Sequence, residues 1–364
     1  MARHPHWANC ITHFDKDVDG FIADYFATPD RRCLLVAGAG FDPRAQMIAQ
    51  RLSPVLGNRL HAVFFREERF DPNATLVDRA NGTEAELRRL VPQCEVIKIN
   101  IFADDGASVG GHAVSQALQR LAWPDVTDVV LDLSALSVGI GFPAARILLD
   151  RCEQSADLNF HLMVVSNPEL DALIVPEPSS QAVAVRGFAG PTLHSSELPA
   201  ARVWLPHLAP GKNAILAKIH SQAEGDYKVC PVLPFPARDP RRPDALIAEY
   251  QSELRDEWSV DARDLIYVSE RNPLDAFRTF STLKARYDRS MEDVYTPQLV
   301  LSPVGSKVMA AGALMAAIEH DLAVHHVEAV RYELNVPIED DGPVPEYMIV
   351  HVWLHGSIYS GYQP

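Results

Sequence analysis

Short apolar runs alternate along this chain with segments in which apolar residues return at helical spacing. Cys33–Ala37, Leu60–Phe65, Cys94–Ile101, Asp128–Leu133 and Asn159–Val165 have the length and near-continuous hydrophobicity of strands covered on both faces. Between them, Ala45–Leu56, Thr83–Leu90, Gly110–Leu121 and Pro143–Arg151 follow a helical period. Strands alternating with helices predict a parallel sheet with helices on both sides. The aromatic stretch Val18–Phe26 precedes the first strand and predicts a helical arm packed on that sheet.

The texture changes over residues 166–211. Prolines 168, 176, 178, 191, 199, 206 and 210 interrupt any long period there. This predicts an irregular connector, with a short hairpin formed by Ala182–Gly187 and Arg202–Leu205. The rhythm then resumes. Asn213–Gln222, Asp244–Trp258, Pro273–Tyr287 and Val308–Ile318 are predicted helices. Tyr227–Leu233, Leu265–Ser269, Leu299–Leu301, His325–Leu334 and Tyr347–Leu354 are predicted strands. The expected fold is therefore α/β, with two Rossmann-like parallel-sheet units: residues 1–165 with the helical arm, the connector 166–211, and residues 212–364. The two halves share this broad rhythm, which suggests duplicated units.

Totals narrow the function classes. A formal charge of −15 over 364 residues argues against coating nucleic acid, which needs a cationic surface. The five cysteines are scattered without a CxxC, as expected of reduced thiols and not of a disulfide framework or zinc site. No apolar run approaches the ~18 residues of a membrane span, and the first residues lack the apolar region of a signal peptide. The expected compartment is the cytoplasm. His320, His325, His326, His351 and His355 show no metal-ligand spacing and read as structural, so no metal is expected.

The most informative turn is Ser302-Pro303-Val304-Gly305-Ser306-Lys307, between the apolar run Leu299–Leu301 and a helix of small residues. A strand entering a Gly/Ser/Lys turn and then a helix gathers free N–H groups and the positive helix end at one point. Gly305 lets the loop approach a phosphate, Ser306 offers a hydroxyl and Lys307 a charge. The spacing is not that of a P-loop. A plain strand-to-helix turn with a solvated lysine accounts for the same residues. One strand earlier, Arg271 and Asn272 sit where Glu270–Asp275 opens a helix at Pro273, as ligand contacts or as a cap.

The strand–SPVGSK–helix element resembles that of CARF-type and SAVED-type Rossmann-like sensor domains, which bind cyclic oligonucleotides. That resemblance implies a nucleotide-like ligand and a place in a multiprotein bacterial defence or stress system.

A second turn competes for the principal site. Gly38-Ala39-Gly40-Phe41-Asp42-Pro43-Arg44 follows the first strand, where glycines let the backbone approach a ligand that Asp42 or Arg44 could touch. It is similar to the first glycine-rich motif of class I S-adenosylmethionine methyltransferases, above all the GAGFDTRA-like form of the leucine carboxyl methyltransferase group, with Pro43 in place of Thr. The resemblance covers at most residues 33–165. It implies S-adenosylmethionine as cofactor, Glu67 as the ribose-binding acid and Asp132 as a later strand-end acid. A tight turn in which Asp42 caps the helix fits equally. Asp104-Asp105 could bind a metal or ribose hydroxyls and the basic island Arg238–Arg242 could face an anion, but both read first as solvated loops, and Ser134 lacks a GxSxG elbow.

Three readings follow: binding of a nucleotide-type or phosphorylated ligand at Gly305, Ser306, Lys307, Arg271 and Asn272; a methyltransferase built on Gly38, Gly40, Asp42, Arg44, Glu67 and Asp132; or a non-catalytic scaffold.

Overall fold

The computed structural model describes residues 5–155, 157–191, 198–223, 227–334 and 346–359. The chain divides into two compact α/β units, and the division is not a single cut. The first unit comprises Cys10–Asn167, residues 330–332 and 341–364, and the second takes residues 1–9, Pro168–Ala329 and 333–340.

The first unit runs β1 (Thr12–Phe14), α1 (Lys16–Tyr25), β2 (Cys33–Gly38), α2 (Met47–Leu56), β3 (Leu60–Glu68), α3 (Ala74–Leu90), β4 (Cys94–Asn100), α4 (Gly110–Arg120), β5 (Asp128–Asp132), α5 (Val138–Glu153) and β6 (Asn159–Ser166). The pattern of the sequence explains the sheet. β2, β5 and β6 are buried at every position, as parallel strands with helices on both faces must be. β2 pairs in parallel with β3 and β5, β3 with β4, and β5 with β6. Taken in chain order as strands one to five, they lie 3-2-1-4-5 across the sheet, the first five positions of the doubly wound Rossmann order. On one face Val18, Ile22 and Phe26 of the α1 segment join Leu35, Ala37, Ile48, Leu52, Phe64 and Val165 in a continuous core. Each of the Val, Leu, Ile and Phe side chains contributes roughly 1.5–3 kcal/mol on burial.

The second unit runs α6 (Pro168–Leu173), β7 (Ile174–Ala184), β8 (Ala200–Pro206), α7 (Asn213–Ser221), β9 (Tyr227–Val229), β10 (Val232–Pro234), α8 (Arg242–Glu249), β11 (Ile266–Val268), α9 (Pro273–Ser290), β12 (Thr296–Ser302), α10 (Lys307–His320) and β13 (Ala323–Leu334). β12 pairs in parallel with β8 and β13, and β8 with β9. Cys230-Pro231 interrupts the next strand, because proline offers no N–H to the ladder. The ladder nevertheless continues: His207 bridges Val232 in parallel, and β10 pairs with β11. With β9 and β10 counted as one broken strand, this sheet also has the order 3-2-1-4-5, from β11 to β13.

Several expectations change. Residues 166–211 carry α6, β7 and β8, so much of this stretch is regular structure; Pro176 and Pro178 lie within β7, which as an edge strand tolerates them. The expected hairpin does not form, since β7 lies beside β13 whereas β8 sits between β12 and β9. The last strand, β14 (Met348–His355), does not join the second sheet. It pairs antiparallel with β6 and with β1, so the N-terminal strand and the last strand close the edge of the first sheet. The short turn at Pro5–Asn9 goes the other way. Its Trp7 ring packs against Phe277, and Arg278 donates to the Ala8 carbonyl. A local period shows that a segment is a strand; it carries no information about which sheet recruits it.

Candidate functional site

In a doubly wound sheet, ligands bind outside the carboxyl ends of the strands where the order reverses. In the second unit that point lies between β8 and β12. A cleft is found there, lined by Leu208, Ala209, Pro210 and Lys212 from the loop after β8, by Pro234 at the end of β10, and by Glu270 just after β11. Gly305, Ser306 and Met309 line it from the β12–α10 turn, Arg242 from α8, and Asp171 from α6. The free space is ≈ 390 Å³ with the open mouth included. Only ≈ 20 Å³ is deep enough for the centre of a water molecule. Since a single water needs about 10–15 Å³ by that measure, the deep part fits one small polar group such as a phosphoryl oxygen.

Local chemistry shapes this turn. Gly305 has φ 80, and a Cβ there would press into the Cβ of Ala209, so the backbone conformation and the close approach both require glycine. Ser306 then caps α10, accepting from the Met309 N–H at 3.4 Å. The helix that follows is buried from Val308 through Ile318, as a segment apolar on every side should be. The backbone N–H groups of Gly305 and Ser306 have no protein acceptor among the described residues. Opposite them, Gly211 in the left-handed region turns the β8 loop, whose Ala209 carbonyl accepts from the buried Tyr250 hydroxyl at 2.7 Å.

Two cations and two acids share the cleft. Lys212 is buried and donates to the Ile174 carbonyl at 2.8 Å. Burial lowers its ammonium below the usual lysine range, with Asp171 opposing that shift. Arg242 stands 3.6 Å from Glu270, whose other oxygen accepts from the Arg238 N–H at 3.1 Å. The Arg242 Nε is buried without a hydrogen-bond partner. The arrangement offers a guanidinium, an ammonium and unpaired helix-terminal N–H groups to one small anion.

Of the residues singled out in the sequence, Gly305 and Ser306 line the cleft, whereas Lys307, half-buried, begins α10 outside its lining. Arg271 is exposed, and Asn272 caps α9 through the Leu274 N–H at 3.0 Å; neither lines the cleft. Sequence reasoning missed Lys212, Asp171 and Glu270, and read Arg242 with its basic island as a solvated loop, whereas it lines the cleft. The signal for Lys212 was present: Pro210-Gly211-Lys212 follows an apolar strand and opens a helix, as the later turn does.

The first unit uses its strand ends differently. Asp42 caps the turn after β2, and its carboxylate takes a forked pair from the fully buried Arg44 at 2.6–2.9 Å. One oxygen of Glu67 accepts from the Ser137 N–H and the other from Arg69, each at 2.8 Å. Glu67 thus satisfies, from within the chain, the N-terminus of the helix that follows the fourth strand. Asp132 accepts from the Ser134 hydroxyl and N–H. Burial pushes its carboxyl up to about 7, with the Ser134 hydrogen bonds opposing. Gly38 lies against the Ala135 carbonyl, and Gly40 faces open space. Ser134 is fully buried and also accepts from the Val165 N–H, so it is a structural hydroxyl. Asp105 accepts from the Ala107 N–H within its own exposed turn. Among the described residues no group of three or more His, Cys, Asp or Glu side chains is arranged to hold a metal.

The class defined by this architecture is α/β with Rossmann-like, mostly parallel sheets. No family model and no curated protein matches the chain. Among solved structures, a cyclopropane-fatty-acyl-phospholipid synthase-like protein from Lactobacillus casei is similar at 12% identity and a TM-score of 0.27, covering 92% of this chain and 89% of that one. A universal stress protein from Pseudomonas aeruginosa is similar at 12% identity and 0.23, over 83% and 94%. OtsA in its apo form is similar at 11% identity and 0.22, over 84% and 70%. Likeness at this level carries no argument about a site or an activity. No described helix is long and apolar enough to cross a membrane.

Proposed function

We propose that the second unit binds the anionic group of a nucleotide-type or phosphorylated ligand at the β8–β12 switch point. One contrast carries this reading. In the first unit the carboxylate of Glu67 sits on the N–H of Ser137, at the helix following the fourth strand. In the second unit the corresponding helix is capped by Ser306, and the second strand ends at Pro234 and runs into Phe235-Pro236, with no acid there to do the same. Gly305 and Ser306 keep their N–H groups unpaired beside Arg242 and Lys212. An external anion fills the role that Glu67 fills internally. A phosphoryl oxygen enters the deep part of the cleft and the rest of the ligand lies across its mouth.

The resemblance of Ser302–Lys307 to CARF-type and SAVED-type loops supports a nucleotide as the ligand. It also supports a sensing role for a cytoplasmic protein within a multiprotein bacterial system. The reading assigns no reaction.

Thermal unfolding with inorganic phosphate, ATP, NAD, cyclic oligonucleotides and S-adenosylmethionine tests it. A ligand at 100 times its Kd stabilises the native state by ~2.7 kcal/mol. Stabilisation by a phosphorylated ligand that Arg242→Gln weakens about tenfold or more in Kd is the expected result, as for a lost charge-assisted bond of ~1.5–3 kcal/mol. Stabilisation by S-adenosylmethionine alone would move the site to Gly38–Arg44 and Glu67. No response to any of the five would leave the scaffold reading.

A further inference from the structure

The first unit contains a row of imidazoles that the ligand reading does not use. His13 on β1, His351 on β14 and His161 on β6 stand side by side across adjacent strands, and Asp128 opens β5 at the end of the row. His13 Nδ1 is 2.9 Å from His351 Nδ1, and His351 Nε2 is 3.0 Å from His161 Nδ1. His161 Nε2 is then 3.1 Å from Asp128 Oδ1. His161, His351 and Asp128 are fully buried, whereas His13 is half-buried.

A consistent proton assignment exists for the row. With Asp128 ionised, His161 donates from Nε2, His351 from Nε2 and His13 from Nδ1, so every contact along the row has one donor and one acceptor. His13 Nε2 is left as the acceptor at the outer end. A proton taken up there lets every bond reverse: His13 passes a proton to His351, His351 to His161, and His161 to Asp128. One proton entering at His13 can thus be handed across three contacts to the carboxylate at the far end.

Asp128 matters because of what it holds. Tyr25 at the end of α1 donates to its Oδ1 at 2.8 Å, Thr127 donates to its Oδ2 at 2.5 Å, and Arg31 lies 3.8 Å away. Arg31 also covers the Tyr25 ring at 4.3 Å. Phe21, one turn earlier, stacks on both His13 and His351. The other groups around the row are Asp17 beside His13, Asp30 beside Tyr25, and the thiols of Cys33 and Cys152 beside Asp128. Thus α1 grips the sheet through the same carboxylate and rings that form the row.

We propose that His13, His351, His161 and Asp128 form a proton wire that works as a pH-operated latch, releasing α1 from the first sheet when the wire takes up a proton. Burial lowers His13 and His351 below the ordinary histidine value of 6.5. Burial raises the Asp128 carboxyl, but hydrogen bonds from His161, Thr127 and Tyr25 outweigh it and leave the group below the usual range. The histidine shifts favour the closed latch at neutral pH, and that preference weakens as the solution is acidified below 6.5; the Asp128 shift adds a preference that is lost only below 3.8.

Hydrogen exchange and ¹⁵N imidazole NMR on the full chain test the latch. Between pH 7.5 and 5.5, after correction for intrinsic exchange, amides of residues 16–25 are expected to lose protection by roughly tenfold for each histidine that stays neutral when folded. Those of β2 and β5 should change less. At pH 7.5 the NMR tautomers should be Nε2–H for His161 and His351 and Nδ1–H for His13. His13→Gln, at the half-buried end, is expected to retain the fold and flatten the pH response of α1. Equal loss of protection throughout the unit would overturn the proposal, as would three imidazoles titrating independently near 6.5, or an undiminished α1 response in His13→Gln. If the variant fails to fold, the wild-type tautomers and exchange pattern decide the matter.

Discussion

At the scale of single residues, the structure separates positions that look alike in the sequence. Gly305 and Gly40 both sit in strand-to-helix turns, yet a side chain at Gly305 meets Ala209 in a left-handed backbone, whereas Gly40 faces open space. Gly305→Ala is expected to cost about 1–3 kcal/mol in urea denaturation, and Gly40→Ala under about 1 kcal/mol. Asp132 provides a signed pH test. Its folded carboxyl keeps a proton up to about 7, against 3.8 for an ordinary aspartate. The raised value favours folding fully below 3.8, and the benefit is lost as pH rises through about 7. Asp132→Asn should therefore be more favourable at pH 8 than at pH 5, by an amount on the order of a few kcal/mol. Equal effects at the two pH values would show that the proton is not held. The acids and glycines of these turns were legible in the sequence. Their engagement was not, because whether Asp42 faces a ligand or Arg44 depends on distances of a few ångströms.

At the scale of elements, periodicity found most helices and strands, and packing decided what they do. α10 owes its position to Gly312, where a Cβ would drive into the Pro273 carbonyl and the Ala276 methyl of α9. Backbone cannot yield as a side-chain tip can. Gly312→Val is expected to destabilise the second unit by about 1–3 kcal/mol or more and to loosen the Ser306 turn, visible as faster exchange at residues 305–309. The exit from α1 has another device. The Arg59 guanidinium donates to the carbonyls of Phe26, Thr28, Arg31 and Val55 at 2.7–3.2 Å. No lysine can reproduce that fork. Arg59→Lys should lower stability by roughly 1–2 kcal/mol by chemical denaturation, with the loss concentrated around residues 26–31.

At the scale of the molecule, the two units share the strand order 3-2-1-4-5, each with a switch point between its first and fourth strands. The duplicated rhythm in the sequence had this physical basis. The fold tolerates great divergence because its demands are burial and order, not particular side chains. Burial also sets a global response to acid. It lowers His13, His207, His220, His320, His325 and His351, with His207 down at about 3. Each unfolded histidine takes up a proton near 6.5 that its folded counterpart resists, so stability should fall as pH drops below that value. Each fully resisting site contributes up to about 1.4 kcal/mol per pH unit. A urea midpoint unchanged between pH 7 and 5 would contradict this.

The sequence by itself determined the α/β class and nearly every strand and helix, because burial on two faces or on one stripe leaves a periodic trace in the chain. It also pointed to the Ser302–Lys307 turn, since glycine and capping residues announce a strand-to-helix junction locally. Only the tertiary structure decided that β14 and β1 close the first sheet, and that Lys212, Arg242 and Glu270 meet Gly305 and Ser306 across one cleft. Only it lined up three histidines from three distant strands on Asp128. Such meetings are set by strand order and register, and neither leaves a mark within any short stretch of sequence.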